Sequence, residues 1–221
     1  MIGRPRLHLR STSSTNTRAR ELASAGAPHG TLVTADVQTA GRGRQGRTWV
    51  APAGSSLLLS LVLREADPLL PLRGGLAVAD LSGPAALVKW PNDVLLDGRK
   101  VAGVLVEARP QEGWAVLGIG VNAALEVGEL PPELQETAGT LGRDDLDAAL
   151  DELLRYLEGR LGEPSEATLR ALSDRDALLG RSLAWAGGEG SGAGIDARGC
   201  LRVRLAGGGE TVLDAGEVHL R

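Results

Sequence analysis

The segment GRGRQGRTW, residues 41–49, has the densest grouping of residues that could bind an anion. Its three glycines let the backbone turn sharply and point successive N–H groups at one ligand. Its arginines, Arg42, Arg44 and Arg47, add fixed charge and forked donors that suit phosphate. Because these cations repel one another, we expect the segment to be mobile when empty and ordered around an anion. A solvated basic loop or an RNA-binding Arg/Gly tract is the alternative, although such tracts are usually longer and richer in aromatic residues.

A second candidate for chemistry is KWPND, residues 89–93, which follows a strand-like run. Pro91 fixes the backbone, so Lys89 and Asp93 should project from a rigid turn. A lysine held in this way can neutralise a carboxylate and the charge that develops on a phosphoryl group. Asp93 could position Lys89 or help to hold Mg²⁺. An ordinary strand-end turn with an exposed lysine is the alternative interpretation.

Lysine is rare in this chain, so the positions of the few lysines are informative about function. Among 24 Lys and Arg residues, only Lys89 and Lys100 are lysine. A site built for a compact ammonium group does not accept Arg freely, so a lysine in an Arg-rich chain can indicate function. Chance survival is the alternative. We expect a catalytic role for Lys89 and a structural role for Lys100.

Three further features could recognise a polar, uncharged ligand. SSTN, residues 13–16, lies where a helix should begin, and its hydroxyl and N–H groups could contact such a ligand, although helix capping alone also explains it. Gln38 lies just before the arginine-rich segment. GIGVN, residues 118–122, has glycines at alternate positions, so one strand face is bare. A flat ligand could approach that face closely, and a bulge or tight packing is the alternative.

The pattern of apolar residues predicts the elements that must position these segments. Strands are expected near Leu7 and Leu9 and over 31–36, 56–63, 86–90, 101–108 and 114–121. Helices are expected over 13–25, 71–81, 144–161 and 166–173, from caps, apolar spacing and terminal Gly or Pro. After residue 178, five short strand candidates separated by Gly-rich turns predict a small SH3-like barrel. The stretch 187–194, GGEGSGAG, lacks the ending of a phosphate loop and is interpreted as a hairpin loop.

Composition narrows the class of protein. The 221 residues, 43% of them hydrophobic, suffice for one core and a small second domain. A net charge of −4 argues against a protein that coats nucleic acid or anionic membrane. The sequence has no apolar run of membrane-spanning length and no signal-like start. A single cysteine, Cys200, excludes an internal disulfide and a Cys-based metal cluster. We expect a soluble, cytoplasmic protein.

The motifs SSTN, Gln38 with GRGRQGR, KWPND, KVAGVLVE and GIGVN follow one another in an order that resembles the catalytic domain of the biotin–protein ligases. The resemblance covers about residues 10–125. Gln45 stands where a further Arg is common, and the short segment 64–86 suggests a reduced helix before KWPND. The resemblance implies an α+β fold, with a mixed β-sheet and flanking helices of class II synthetase type over 1–177. A C-terminal SH3-like barrel over 178–221 also fits it.

The resemblance implies an activity and the residues that carry it. Biotin and Mg·ATP would give biotinyl-5′-AMP, and the biotinyl group would pass to a lysine of a biotin carboxyl carrier protein of a carboxylase. Lys89 and Arg44 would be catalytic, and Asp93 is a candidate Mg²⁺ ligand. The residues around biotin or biotinyl-AMP would be Ser14, Thr15, Asn16, Gln38, Gly41, Arg42, Gly43, Arg44, Lys89, Gly103, Gly118 and Gly120. The residues around the nucleotide would be Arg42, Arg44, Arg47, Asn92, Asn122 and Trp49, the last as an adenine platform.

Two competing interpretations of the function stay open, and each predicts a different binding partner. A lipoate–protein ligase or octanoyltransferase would share the fold, and a nucleic-acid-binding module could use the arginine segment. Some biotin–protein ligases carry an N-terminal helix-turn-helix. Because the first strand is expected near residue 6, we expect no DNA-binding domain and no specific DNA partner. The oligomeric state is not predicted, and a homodimer is one possibility.

Overall fold

The computed structural model describes residues 1–221, and a seven-stranded sheet forms its larger part. The strands are β1 (Arg6–Thr12), β2 (Leu32–Gln38), β3 (Ser56–Leu63), β4 (Leu87–Lys89), β5 (Asp93–Leu96), β6 (Arg99–Arg109) and β7 (Trp114–Asn122). Their order is β1-β2-β3-β7-β6-β5-β4. β1 and β2 are parallel and the other neighbours are antiparallel, so the predicted mixed sheet is confirmed.

Helices cover both faces of this sheet. They are α1 (Thr15–Ser24), α2 (Leu70–Ser82), α3 (Pro132–Gln135), α4 (Leu146–Gly162) and α5 (Ser165–Arg175). Side chains alternate along a strand, so Leu61 and Leu117 join the main core with α2 and α4, while Val62 and Val116 pack against α1. The helix before KWPND is α2, which runs for 13 residues.

A smaller sheet follows the last helix. Its strands are β8 (Ser182–Trp185), β9 (Gly188–Ile195), β10 (Leu201–Leu205), β11 (Glu210–Leu213) and β12 (His219–Leu220). They form an antiparallel sheet in the order β11-β10-β9-β8-β12. The predicted small C-terminal β unit is therefore present.

The interpretation of 187–194 as a hairpin loop is wrong, because nearly all of this stretch belongs to β9, the central strand of the smaller sheet. The reason is close backbone packing. A side chain at Gly192 would collide with the carbonyl of Leu178, and one at Gly190 would collide with the carbonyl of Arg204. Glycine inside a strand marks close approach of another backbone, and here it does not signal a turn.

The smaller sheet packs directly on the larger unit. Leu183, Leu201 and Val203 belong to the same hydrophobic core as α2 and α4. The indole nitrogen of Trp90, in the KWPND turn, donates to the carbonyl of Gly199 at 2.9 Å. The turn that carries Lys89 is thus held from both units.

None of the helices has the length and apolar character needed to span a lipid bilayer.

Candidate active site

A cavity of about 470 Å³ lies over β6 and β7, between the arginine segment (residues 41–49) and the smaller sheet. Its wall includes the start of α1, the KWPND turn and residues 216–220. Every residue that the sequence analysis places in the site lines this cavity except Gly41. Gly41 supports the segment from behind, where its carbonyl accepts a hydrogen bond from the Trp49 N–H at 3.0 Å. Five motifs that are distant in sequence therefore meet at one site.

The start of α1 provides the neutral, polar end of the cavity. Ser14 is the N-cap of the helix but makes no capping hydrogen bond through its side chain, so capping alone does not explain SSTN. Both the backbone N–H and the hydroxyl of Thr15 donate to Oε1 of Gln38, at 2.8 and 3.1 Å. The amide of Asn16 donates to the Leu105 carbonyl and to Glu107. These bonds hold Thr15, Asn16 and Gln38 in one arrangement.

Ser60 completes this polar network. No motif in the sequence pointed to this residue. The residue lies on β3 and is 0% exposed. Its hydroxyl donates to Oδ1 of Asn16 at 2.6 Å and lies 2.8 Å from the hydroxyl of Thr15. The only sequence signal is a serine inside the apolar run SLLLSLVL, which strand burial alone does not explain.

Strand register divides the sheet under the cavity into two rows. Ser60, Gly118 and Leu105 are neighbours across β3, β7 and β6, and form the polar row. Lys89, Asp93, Gly103 and Gly120 are neighbours across β4, β5, β6 and β7 and form a second row, called the cationic row because the ammonium groups of Lys89 and Lys100 belong to it or lie over it. The rows are two residues apart along β6 and β7, the two strands that they share, which is about 7 Å. An elongated ligand with one neutral and one anionic end would match this spacing.

The glycines of these rows make room for side chains of the protein itself. A side chain at Gly118 would collide with Asn16, and a Cβ at Gly120 would come within 2.6 Å of the Trp49 ring. At Gly103 the ring would be 3.2 Å away. Trp49 thus covers part of the strand face that the sequence analysis expects to be bare. Its indole nitrogen has no hydrogen-bond partner.

The side chains that line the cavity have an excess of positive charge. Five are cationic and two are carboxylates: Arg42, Arg44, Arg47, Lys89 and Lys100 against Asp93 and Glu217. Arg42 pairs with Glu107 at 3.0 Å, Arg47 pairs with Glu217, and the Lys100 ammonium pairs with Asp93 at 2.6 Å. Arg44 and Lys89 form no ion pair. An anionic ligand would supply the missing charge.

Burial acts on the two unpaired cations. It lowers the pKa of Lys89, and the charges of Lys100 and Arg47 lower it further, while Asp93 opposes the shift. Burial also lowers the pKa of Arg44, again against the charge of Asp93. Each shift means that burial removes water from the positive charge and that the surrounding groups of the empty protein do not fully replace it. Such groups mark a site where an anion is stabilised.

The remaining polar residues of the cavity include candidate metal ligands and residues from the C-terminal end of the chain. The structure has no cluster of three or more His, Cys, Asp or Glu side chains arranged to hold a metal ion. Asn92 and Asn122 donate to the carbonyls of Val104 and Gly139, at 3.0 and 2.9 Å, which fixes both side chains on the cavity wall. Lys100, expected to be structural, lies on the cavity. Sequence reasoning also missed residues 216–220, which only the packing of the smaller sheet brings here.

Comparisons with known proteins place the chain in a family. A family model described as the biotin/lipoate A/B protein ligase family matches residues 8–123. The chain is 36% identical over 237 residues to a biotin–(acetyl-CoA-carboxylase) ligase of Mycobacterium tuberculosis, which covers 95% of this chain and 87% of that protein. It is 40% identical over 143 residues to the bifunctional ligase/repressor BirA of Bacillus subtilis, which covers 59% of this chain and 44% of that protein.

A solved structure extends the likeness to the whole chain. The biotin protein ligase from Aquifex aeolicus, in complex with biotin and ATP, superposes with a TM-score of 0.83 at 28% identity and covers 99% of both chains. The chain belongs to the biotin/lipoate A/B protein ligase family. It spans less than half the length of the Bacillus subtilis relative.

Proposed function

We propose that this protein activates biotin with Mg·ATP as biotinyl-5′-AMP and transfers the biotinyl group to a lysine of a biotin carboxyl carrier protein. The observation that carries the proposal is the pairing of a neutral polar row with a cationic row about 7 Å away on one sheet. Biotin has a polar ureido ring at one end and a carboxylate at the other. The names of the relatives, which act on biotin and on acetyl-CoA carboxylase, support the same substrates and carrier.

The first step joins two anions and therefore needs positive charge. An oxygen of the biotin carboxylate attacks the α-phosphorus of ATP, a P–O bond forms, and the bond to pyrophosphate breaks. Lys89 and Arg44, the cations without ion-pair partners, stabilise the charge that builds up on the phosphoryl oxygens. Arg42 and Arg47 add to this field once they leave Glu107 and Glu217.

The second step needs no nucleophile from the protein. The amine of the carrier lysine attacks the acyl carbon of biotinyl-AMP, an amide bond forms, and AMP leaves with the electron pair of the broken C–O bond while the amine loses its proton. Cys200 is buried in the turn between β9 and β10 and is not part of the cavity lining. The arginine segment shields the mixed anhydride from water when it closes.

Magnesium enters this proposal as part of the Mg·ATP substrate. An ion that is bound mainly by phosphates needs only one or two protein oxygens. Asp93 is the carboxylate of the cavity that is not bound to an arginine, which makes it the candidate ligand. Bound there, the ion would neutralise phosphate charge.

Specificity for biotin over lipoate follows from the polar row. Lipoate, a substrate class of the wider family, carries an apolar dithiolane where biotin has its ureido group. A dithiolane cannot exchange hydrogen bonds with the polar groups of Thr15, Asn16 and Gln38 that line this end of the cavity, and a site built to hydrogen-bond its ligand discriminates against a ligand that cannot do so. We accordingly favour biotin. We also propose a catalytic domain over 1–177 and an SH3-like C-terminal barrel over 178–221.

Binding and transfer experiments test the proposal together. Calorimetry should show biotin binding, with lipoate binding at least about a hundredfold more weakly, as expected when a site built for hydrogen bonds meets a ligand without them. With Mg·ATP, biotin and a biotin carboxyl carrier domain, mass spectrometry should show one biotinyl adduct on the carrier. Equal affinity for lipoate, or lipoyl transfer in its place, would reverse the choice of substrate.

A further inference from the structure

We propose that Glu107 is a positioning residue that holds Arg42 over the polar end of the cavity, where Arg42 retains biotin until a phosphate draws it to the cationic row. The inference rests on the proposed function and adds one carboxylate to it. Glu107 lies outside the cavity lining, so it acts through Arg42 and does not touch the substrate.

The position of Glu107 on β6 places its carboxylate beyond the polar row. Alternate residues of a strand face the same side of the sheet, so Glu107 follows Gly103 and Leu105 on the cavity face. Gly103 belongs to the cationic row and Leu105 to the polar row. Glu107 is four residues from Gly103, which is about 13 Å along the strand. A side chain that binds Glu107 is therefore held at the neutral end of the site.

Three side chains converge on this one carboxylate. The Asn16 amide and the Arg42 guanidinium both donate to Oε2 of Glu107, at 3.0 and 3.2 Å. The guanidinium groups of Arg20 and Arg42 lie 2.9 and 3.0 Å from Oε1. The Glu107 side chain is 19% exposed and that of Arg42 is 42% exposed. Glu107 thereby joins a residue of the polar row network to the arginine segment.

The contact with Arg42 also fixes the base of the arginine segment. Arg42 pairs with Thr48 across the segment in an isolated antiparallel bridge, and the N–H of Trp49 donates to the carbonyl of Gly41 at 3.0 Å. The two ends of the segment are therefore joined, and the contact with Glu107 holds both of them against the sheet. A segment that is held in this way needs less ordering when biotin binds.

Charge decides when Arg42 leaves Glu107. Arg20 and Arg42 share one carboxylate, so one positive charge of the group is uncompensated. Biotin alone would place its carboxylate in the cationic row and cover the Arg42–Glu107 pair, which strengthens the pair by removing water from it. A phosphate instead offers Arg42 a forked partner with more negative charge. Arg42 would then move to the phosphate, as the proposed adenylation step requires.

The test compares two ligands that share the ureido end and differ in the phosphate. Calorimetry and stopped-flow dissociation would use biotin and a stable analogue of biotinyl-AMP, in which a methylene replaces the acyl carbonyl. Glu107→Gln keeps an acceptor for Asn16 but removes the charge. We expect it to weaken biotin about threefold to fivefold, through faster dissociation, as for one partly exposed ion pair. The analogue should bind as tightly as to the parent protein or more tightly, because Arg42 no longer has to leave a carboxylate.

Two further variants complete the design. Arg20→Met removes the other cation on Glu107 and should change both affinities by less than about twofold. Arg42→Met combined with Glu107→Gln should weaken biotin no more than Arg42→Met alone, since the two residues act as one pair.

The two ligands separate a positioning role from a structural one. Glu107→Gln that weakens biotin and the analogue alike would mean that Glu107 only supports Asn16, which both ligands contact. Glu107→Gln that binds biotin like Arg20→Met would leave it without a role in retention. Either result overturns the inference while the biotin-ligase assignment stands. A parent protein that binds no biotin would instead refute the assignment itself.

Discussion

The hydroxyl of Ser60 donates a hydrogen bond to Oδ1 of Asn16 at 2.6 Å, from a position on β3 that has no exposure to solvent. Asn16 is thereby held from below by β3, while its amide group is bound by the Leu105 carbonyl and by Glu107. A side chain that is fixed at both ends can offer only one pattern of donors and acceptors to a ligand. If the proposed function holds, recognition of the polar end of biotin depends on a residue that does not line the cavity.

Ser60→Ala should weaken biotin binding about tenfold. The substitution leaves the buried oxygen of Asn16 without its donor, which typically costs ~1–2 kcal/mol. Calorimetry with biotin would measure the loss, and affinity for ATP should not change, because the proposed phosphate site lies in the other row. Ser11→Ala, on an exposed position of β1, is the matched control. Biotin binding that is equal in the two variants would exclude a positioning role for Ser60.

Lys89→Arg should lose most of the adenylation rate, and Lys89→Ala should lose at least as much. Arg keeps the charge, but its wider fork does not fit between a carboxylate and an α-phosphate. One contact to a developing anion is worth roughly 10²–10³ in rate. Single-turnover formation of biotinyl-AMP would be measured. Biotin affinity should fall less than the rate, because the bonds around Thr15 and Gln38 persist. A Lys89→Arg protein with parental turnover would leave the arginines as the charge-stabilising groups.

The rate of adenylation should fall as pH rises, and should do so below the ordinary titration range of lysine, near pH 10.4. Burial lowers the pKa of Lys89, so its ammonium loses its proton earlier than a solvent-exposed one does. The active, charged form is thus present below the lowered pKa and is lost above it. A pH profile of single-turnover adenylation measures this fall. Lys89→Arg, although slow, should show no such fall; the same alkaline limb in both proteins would assign it to another group.

The arginine segment should be cut by trypsin in the empty protein and protected by biotinyl-AMP. Arg42 and Arg47 are exposed, and each is held by a single carboxylate, Glu107 or Glu217. The phosphate of the ligand offers these cations a stronger partner and orders the backbone around it. Mass spectrometry of timed digests would follow cleavage after Arg42 and Arg47. Cleavage rates that do not depend on the ligand would mean that the segment does not close on it.

Local signals in the sequence predict much of the framework. The predicted strand over 56–63 matches β3, and the aspartate cap expected for the helix after residue 144 is present, where the Asp145 side chain accepts from the N–H of Ala148 at 2.9 Å. The short strand β5 was missed, because Asp93–Leu96 follows a proline turn and has too few residues to show a period. In β9, glycines that serve close packing look like loop residues.

Long-range packing accounts for the site residues that the sequence does not reveal. Ser60 reaches Asn16 because β3 passes beneath α1, and Lys100 pairs with Asp93 because β5 lies beside the start of β6. Glu217 reaches Arg47 only because the smaller sheet folds back over the cavity. Each relationship joins segments that are distant in sequence or on different strands, and a motif does not record such pairings.

Biotin-dependent exchange of pyrophosphate into ATP is the decisive measurement for the proposed adenylation step. The forward step releases pyrophosphate only when a carboxylate attacks the α-phosphorus, so exchange of labelled pyrophosphate reports that step without a carrier protein. We expect exchange with biotin and Mg·ATP, almost none with lipoate, and a loss of roughly 10²–10³ in the exchange rate of Lys89→Ala. Exchange that proceeds equally with lipoate, or that is absent with biotin, would contradict it.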